Sequence, residues 1–508
     1  MTFPRSSGIL LHPTSLPGPH GVGDLGPAAY RFVDFLHSAG HKLWQVLPLN
    51  PTGYGDSPFQ CFSASAGNPL LVNLDRLIER GTLAKSDITS IPQWPRDTVD
   101  FGRVIAFKTP LLKKAARNFL NSADANDREQ FQSFCRANAH WLDDFALFMA
   151  VKDTQNLVAW TRWPDDIAAR NPEAVRDATE HLAKEIEVHK YWQFEFAQQW
   201  QSLRAYARER HIQIIGDIPI YVAHDSADVW ANRKYFLLNP DGTPAKIAGV
   251  PPDYFSATGQ LWGNPIYNWP LHKETNYKWW VERFRSAMRL YDIMRIDHFR
   301  GFEAYWEVPG GDTTAVNGKW VKGPGADLFR VLQDDLGELP IIAENLGVIT
   351  PEVEAIRHQF NFPGMAILQF AFGNDPQGPS FRPHNYERNL VAYTGTHDND
   401  TTVGWWQSKG SGDSIRTEED VQKEHAFARS YLGLSDDNAI HWALIRGILS
   451  SVANTAIIPM QDVLGLGSQA RMNLPGTASG NWRWRMLSGA LTDELAARLR
   501  EMNRDYDR

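Results

Sequence analysis

The sequence predicts a (β/α)8 TIM barrel of the α/β class with large helical and loop insertions. Three observations lead to this fold. Eight short apolar runs recur along the 508-residue chain, each run ends in polar or glycine-rich sequence, and helical patterns separate several of the runs. Most runs are rich in Ile, Val and Leu on both faces, which is typical of parallel strands buried on both sides. Eight alternating strand and helix units indicate a closed barrel.

Eight segments are predicted to form the barrel strands. In chain order they are SGILLHPTSL from Ser7, HKLWQVLPL from His41, IQIIGDIPIYV from Ile212, YDIMRIDHF from Tyr291, LPIIAENLG from Leu339, GMAILQFAF from Gly364, NLVAYTGTHD from Asn389 and TAIIPMQDVLG from Thr455. Large apolar side chains at helical spacing indicate two of the intervening helices. They are Trp192, Phe196, Trp200 and Leu203 before the third strand, and Trp280, Phe284 and Met288 before the fourth.

Two insertions are predicted to interrupt this single barrel, which spans residues 1–508. Residues 50–211 separate the second and third strands and are far too many for a βα loop, so they are assigned to an insertion subdomain. Residues 223–290 form a second insertion after the third strand. The remainder after the eighth strand is too short for a C-terminal β-sandwich domain, although it suffices for closing helices.

Composition excludes several functional classes. The formal net charge is −8 without blocks of like charge, which argues against nucleic acid or an anionic membrane as a partner. Cys61 and Cys135 have no CxxC spacing, so neither a disulfide framework nor a thiolate metal site is expected. The N-terminal apolar run is too short for a signal peptide, and no run reaches the ~18 apolar residues that span a bilayer. We therefore expect a cytoplasmic protein.

Polar side chains stand at the carboxyl ends of five predicted strands. Active sites of TIM barrels gather at these ends, so the five segments would meet in one bowl. A single end of this kind could be a structural ion pair, but five converging ends predict a catalytic site. The residues are Asp217, Arg295, Asp297, His298, Glu344, Asn345, His397, Asp398, Asn399, Asp400, Gln461 and Asp462.

The acidic side chains of this bowl suit cleavage of a glycosidic bond. That reaction needs one carboxylate that stays ionised and one carboxylic acid that keeps its proton. Arg295 lies two residues from Asp297 on the same strand face and favours its charged form, which suggests a nucleophile. Glu344 has no cation beside it in the sequence, and burial there would raise its pKa, which suggests an acid/base. Asp398 would supply a third carboxylate.

Aromatic residues add a second indication of sugar chemistry. The chain contains 19 Trp, whose faces can stack on sugar rings or fill a core. The segment PPDYFSATGQLWGNPIYNW, from Pro251 to Trp269, combines aromatic residues with Gly, Pro and Asn. It would close over a covalent intermediate and exclude water. The alternative is a buried plug between domains.

The motifs together resemble 4-alpha-glucanotransferases of the amylomaltase, or disproportionating enzyme, family, a branch of the α-amylase clan. The similarity runs nearly end to end, and the order of the motifs makes it specific. In one departure, Phe59 stands where the family often has Tyr, so ring stacking is kept but a hydroxyl is lost. The segments are LLHPTSLPG, GYGDSPFQ, GDIPIYVAHDSADVW, PPDYFSATGQLWGNPIYNW, RIDHFRG, AENLG, THDND and ARMNLPGT.

The resemblance implies a role for each site residue. Asp297 would be the nucleophile, Glu344 the general acid/base and Asp398 the transition-state carboxylate. The substrate-binding residues implied are Arg295, His298, His397 and Asp217 around the carboxylates, Tyr54 and Ser57 in the groove, Asp253 and Trp262 in the covering loop, and Asn473 at the rim.

The implied reaction passes a segment of α-1,4-glucan to the 4-hydroxyl of glucose or another glucan, with net retention and with the two reacting carboxyls about 5 Å apart. It needs no cofactor or metal. Three alternatives stay open: an α-glucan hydrolase with the same carboxylates, a metal-dependent barrel hydrolase using His298, His397 and Asp398, and an inactive glucan-binding protein. The metal alternative is disfavoured by the absence of closely spaced ligands. Both a monomer and a homodimer remain open.

Overall fold

Twelve strands are present in the computed structural model, which describes residues 3–88, 90–252, 258–410 and 417–508, without the side chains of Tyr54 and Asn438. Eight of them are the predicted apolar runs. The strands are β1 (Ser6–Leu10), β2 (Leu43–Gln45), β3 (Gln213–Ile218), β4 (Lys246–Val250), β5 (Gln260–Pro265), β6 (Ile293–Ile296), β7 (Ala304–Pro309), β8 (Lys319–Lys322), β9 (Ile341–Ala343), β10 (Gly364–Ile367), β11 (Leu390–Tyr393) and β12 (Thr455–Pro459).

The eight predicted strands form one parallel sheet in the order β10-β11-β12-β1-β2-β3-β6-β9. This sheet curves until its two edges meet. The N–H of Ala343, at the end of β9, donates a 2.9 Å hydrogen bond to the carbonyl of Pro363, just before β10. The Met365 N–H on β10 donates at 2.8 Å to Oδ1 of Asn345 after β9. The predicted TIM barrel is confirmed.

Helices surround the barrel and fill the insertions. The predicted stripe on α7 is buried at all four positions, and on α10 Trp280 and Phe284 are buried whereas Met288 is partly buried. The helices are α1 (Pro27–Ser38), α2 (Leu74–Glu79), α3 (Phe101–Ser122), α4 (Ala125–Thr154), α5 (Asp165–Ala168), α6 (Pro172–His181), α7 (Ala183–Glu209), α8 (Ala227–Ala231), α9 (Trp269–Glu274), α10 (Lys278–Leu290), α11 (Ala326–Leu336), α12 (Pro351–Gln359), α13 (Thr402–Gln407), α14 (Glu418–Leu432), α15 (Ile440–Leu449), α16 (Met460–Val463) and α17 (Asp493–Asp505).

Residues 50–211 contain α2 to α7, with α3 and α4 packed on α7. Aromatic rings fill this packing, as in the pair Phe119 and Tyr191, whose ring centroids are 4.7 Å apart. These buried side chains belong to the same hydrophobic core as the barrel strands. The assignment of residues 50–211 and 223–290 as separate insertions stays a prediction.

A second, antiparallel sheet was not expected from the sequence. Its strand order is β5-β4-β7-β8. β4 and β5 come from residues 223–290, whereas β7 and β8 follow β6. The covering segment predicted from Pro251 to Trp269 therefore follows β4 directly and contains β5.

The segment after β12 is described throughout. It contains the 3-10 helix Ser468–Ala470 and α17, and none of its described residues form a strand of either sheet. Within the described ranges, no helix combines the length and apolar character needed to cross a membrane. Cys61 and Cys135 are free thiols. Burial raises the pKa of Cys61 to about 12 and that of Cys135 to about 11.

Candidate active site

The carboxyl ends of β6, β9 and β11 bring the three predicted catalytic carboxylates to one end of the barrel, and β3 adds Asp217. Parallel pairing aligns Asp217 on β3 with Arg295 on β6, and Arg295 in turn with Ile342 on β9. Asp297 and Glu344 immediately follow β6 and β9, so both side chains enter the bowl beside Arg295. The strand register, set by buried apolar runs, therefore places these polar groups.

Arg295 contacts three carboxylates at once. Its Nη1 donates to both oxygens of Asp217, at 2.8 and 2.7 Å, and to Oδ1 of Asp297 at 3.1 Å. Its Nη2 lies 3.5 Å from Oε2 of Glu344. Only 3% of its side chain is exposed, and none of the Asp217 side chain. This arrangement explains why Arg295 and Asp297 share one strand face: the guanidinium holds the carboxylates of three strands together.

Burial and charge act in opposite directions on this cluster. Burial raises the pKa of the Asp217 carboxyl above its usual range, and contact with Arg295 opposes the increase. Burial alone would lower the pKa of Arg295, but Asp217, Glu344 and Asp297 raise it well above its ordinary value. Arg295 is therefore a permanent cation at the base of the bowl.

Glu344 is held as a protonated carboxyl. Burial raises its pKa to about 8, the charges of Asp297 and Asp398 add to the increase, and Arg295 and the N–H of His298 oppose it. This is the direction expected from the apolar residues of β9. The sequence shows no cation beside Glu344, but the fold places Arg295 against it. Oε2 of Glu344 accepts a short hydrogen bond from the backbone N–H of His298.

Asp398 is fixed by the segment that follows β12. The side-chain amide of Asn473 donates to its Oδ1, and Nη2 of Arg471 donates to its backbone carbonyl, both at 2.6 Å. Nε2 of His397 lies 3.5 Å from its Oδ2, and 46% of the Asp398 side chain stays exposed. Asp398 therefore presents a positioned carboxylate to the open bowl.

Two histidines border the carboxylates as neutral rings. His298 has a left-handed backbone with φ of 51°, a strained conformation that turns its N–H toward Glu344. Burial lowers the pKa of His298 to about 4 and also lowers the pKa of His397. Near neutral pH both rings can donate and accept hydrogen bonds, as sugar hydroxyls require. The rings of His298 and Trp262 are nearly perpendicular, with centroids 4.9 Å apart.

Phe59 stacks on His397, with centroids 4.9 Å apart and ring planes 20° from parallel. Trp482 lies against the same imidazole at 5.9 Å. Phe59, which was not predicted to be catalytic, thus supports a bowl residue. Ser57 is half-buried and its Oγ accepts from the N–H of Phe59 at 3.2 Å, which ties the predicted groove segment to the bowl.

Two predicted binding residues are not described in full. Asp253 lies outside the described residues. The backbone of Tyr54 begins the 3-10 helix Tyr54–Asp56, and its side chain is outside the described set. Trp262 on β5 is half-buried and its Nε1 donates to Oε1 of Gln260 at 3.2 Å. The described part of the covering segment therefore places Trp262 next to His298.

Some polar residues at the strand ends form hydrogen bonds between neighbouring segments. Asp462 is buried and accepts from Oγ1 of Thr394 at 2.6 Å and from the N–H of Thr402 at 2.7 Å, so it links the ends of β12 and β11 to α13. It lines one pocket with His397 and Arg471, and its part in the bowl stays a prediction. Asn345 links β9 to β10 and to Glu354.

Arg471 and Trp482 were not predicted from the sequence. Only the closeness of Arg471 to Asn473 along the chain could have indicated one of them. Among the described residues, no group of three His, Cys, Asp or Glu side chains could hold a metal ion, which leaves the metal-dependent alternative without a ligand set.

Known proteins share this sequence and fold. The sequence model of 4-alpha-glucanotransferases, glycoside hydrolase family 77, matches residues 11–491. The 4-alpha-glucanotransferase of Synechocystis sp. is 52% identical over 99% of this chain and 98% of its own. The enzyme of that name from Thermus thermophilus is 50% identical over 99% of both chains. The amylomaltase from Streptococcus agalactiae in complex with acarbose superposes with a TM-score of 0.93 at 41% identity, covering 99% of each chain. The chain belongs to the 4-alpha-glucanotransferase family.

Proposed function

We propose that the chain cleaves an α-1,4-glucan, holds the glycosyl segment covalently on Asp297 and transfers it to the 4-hydroxyl of glucose or of another α-1,4-glucan. The observation that carries this proposal is the single guanidinium of Arg295 in contact with both Asp297 and Glu344, while Glu344 keeps its proton. One charged and one protonated carboxyl at the same sugar linkage are what retaining glycosyl transfer needs.

In the first half-reaction Asp297 attacks the anomeric carbon of the donor. Glu344 donates its proton to the departing glycosidic oxygen, and a covalent glycosyl–enzyme ester forms. Asp398, held by Asn473, accepts hydrogen bonds from ring hydroxyls of the donor sugar and stabilises the positive charge of the transition state. Neutral His298 and His397 bind further hydroxyls.

In the second half-reaction the roles of the carboxyls change. The ester removes the negative charge of Asp297, which had helped to raise the pKa of Glu344. The pKa of Glu344 therefore falls, and its carboxylate can accept the proton of the incoming 4-hydroxyl. The acceptor oxygen attacks the anomeric carbon and the bond to Asp297 breaks. Two inversions give net retention.

Transfer requires that the acceptor hydroxyl, rather than water, attacks the glycosyl–enzyme ester. The covering segment from Pro251 to Trp269 would serve this end, with Trp262 beside His298 as an aromatic platform for the glucan. The same carboxylates would serve a hydrolase, so this segment and its acceptor site distinguish the two reactions. A cytoplasmic location stays a prediction.

Product analysis on maltotriose tests the proposal. We expect glucose together with maltooligosaccharides longer than maltotriose. Products that are all shorter than maltotriose would indicate a hydrolase. The absence of turnover would indicate an inactive glucan-binding protein. Asp297→Asn should lose nearly all activity while it still binds glucan. Normal turnover by this variant would refute the assignment of the nucleophile.

A further inference from the structure

A pocket lined by three arginines lies outside the catalytic bowl and shares no described residue with it. Its volume is about 320 Å³, which is within the range of small-molecule sites. Arg31 on α1, Arg96 and Arg485 supply its charge, and the segment Pro17–Pro19, Leu487 and Ser488 complete its wall. None of the described residues that line it is acidic. Its lining is therefore cationic in a chain whose formal net charge is −8.

Arg485 is the buried member of this pocket, with 5% of the residue exposed. Its Nη1 donates to the carbonyl of Gly18 at 3.4 Å and its Nη2 to that of Pro95 at 2.5 Å. Its Nε is buried and has no hydrogen-bond partner in the part of the chain that the structure describes. Neutral carbonyls do not balance a guanidinium charge, and a buried charge without an opposite partner is costly.

The other two arginines are exposed at the rim. Within the described ranges, no carboxylate forms an ion pair within 4.0 Å of Arg31, Arg96 or Arg485, in contrast with Arg295 and its three carboxylates. Burial lowers the pKa of Arg485, and the charge of Asp97 opposes the decrease. An anion in the pocket would stabilise all three cations.

Guanidinium groups present planar pairs of N–H donors that match the oxygens of a phosphate. A single carboxylate engages one such pair, whereas a tetrahedral dianion can engage several from different directions. We propose that this pocket binds a phosphomonoester-type dianion, either inorganic phosphate or the phosphate group of a small sugar. Ser488 provides a hydroxyl donor on the same wall.

Isothermal titration calorimetry at constant ionic strength tests this proposal with inorganic phosphate and glucose 6-phosphate. The wild-type chain should bind them saturably. The double variant Arg31→Gln, Arg96→Gln should weaken binding at least tenfold, and Arg117→Gln, an exposed arginine of α3, should leave it unchanged. Transfer activity of the double variant on maltotriose should match the wild type, because neither arginine belongs to the bowl.

A second variant examines the buried cation. Arg485→Lys keeps the charge but removes the paired donors, and it should also weaken phosphate binding. Equal affinity for the two ligands would show that the pocket recognises the phosphate group alone. Tighter binding of glucose 6-phosphate would show that the pocket also contacts the sugar. The proposal fails if the wild type shows no saturable binding, or if the double variant binds both ligands as the wild type does.

Discussion

The side-chain amide of Asn473 donates a 2.6 Å hydrogen bond to Oδ1 of Asp398, joining the loops that follow β12 and β11. A hydrogen bond to a charged acceptor contributes about 1.5–3 kcal/mol. Asn473→Ala should therefore lower kcat/KM on maltotriose by about 10- to 100-fold. Asn126→Ala, an exposed position on α4, is the control and should change neither kcat nor KM. Full activity of Asn473→Ala would show that Asp398 needs no such support.

The pH dependence of kcat/KM should follow the protonation of Glu344. Burial raises the pKa of this carboxyl to about 8, and the acid/base is active in the first step only while protonated. Activity should therefore be present below pH 8 and fall as the pH rises through about 8. Steady-state rates on maltotriose across about pH 5–10 check this, and an alkaline limit near the ordinary carboxyl range of about pH 4–5 would contradict it.

Glu344→Gln separates proton donation from nucleophilic attack. Glutamine cannot donate the proton, so activity on maltotriose should fall by about 10²- to 10⁴-fold. The fluoride of α-maltosyl fluoride leaves without a proton, so the variant should still form the ester on Asp297 and accumulate it, as intact-protein mass spectrometry would detect. Glu501→Gln, exposed on α17, is the control. Failure to trap any ester would argue against this division of roles.

Phe59 should act through His397. Stacked rings contribute about 0.5–1.5 kcal/mol, so Phe59→Ala should lower kcat/KM by about 2- to 12-fold through a less ordered imidazole. Phe59→Tyr keeps the stack and should retain activity. If the alanine and tyrosine variants behave alike, stacking on His397 is not what Phe59 provides.

Acid should destabilise the fold through buried histidines. Burial lowers the pKa of His41 to about 3, and its Nδ1 lies 2.8 Å from Oγ of Ser7. In the unfolded chain the imidazole of His41 takes up a proton below about pH 6.5, whereas in the folded chain it does so only at about pH 3. The stabilisation is thus complete above about pH 6.5 and decreases by about 1.4 kcal/mol per pH unit below it.

Denaturant unfolding of His41→Gln between about pH 7 and pH 4 measures this contribution. The free energy of unfolding of the variant should depend on pH less steeply than that of the wild type, by about 1.4 kcal/mol per pH unit. This difference should hold whatever the stability of the variant at neutral pH. His181→Gln, exposed on α6, is the control and should keep the wild-type slope. Equal slopes for His41→Gln and the wild type would exclude His41 as a source of acid sensitivity.

The barrel could be predicted because its strands are buried on both faces. Continuous apolar runs such as Ile341–Ala343 indicate parallel strands of a closed barrel when eight of them alternate with helices. The antiparallel sheet could not be predicted in this way. β8 is largely exposed and two of its four residues are Lys, while β4 precedes a segment rich in Pro and Gly that indicates a loop.

The site was predictable to the extent that strand ends determine it. Asp297 and Glu344 follow directly from the ends of β6 and β9. The hydrogen bonds of Asp462 were not predictable, because its partners Thr394 and Thr402 are distant in sequence and only the fold makes them neighbours. The contact between Arg471 and the backbone of Asp398 could not be predicted for the same reason.

The closing edge of the barrel lies beside the proton donor. In the described residues, one backbone hydrogen bond joins the β9 and β10 edges, from Ala343 to Pro363, and Glu344 is the next residue. Asp297, by contrast, follows β6, which is paired with β3 on one side and with β9 on the other. Local opening of the barrel should therefore begin between β9 and β10, and the amides at this edge should exchange with solvent faster than those of the strands paired on both sides. The backbone of Glu344 itself stays joined to β6, because its N–H donates to the carbonyl of Ile296 and its carbonyl accepts from the N–H of Phe299.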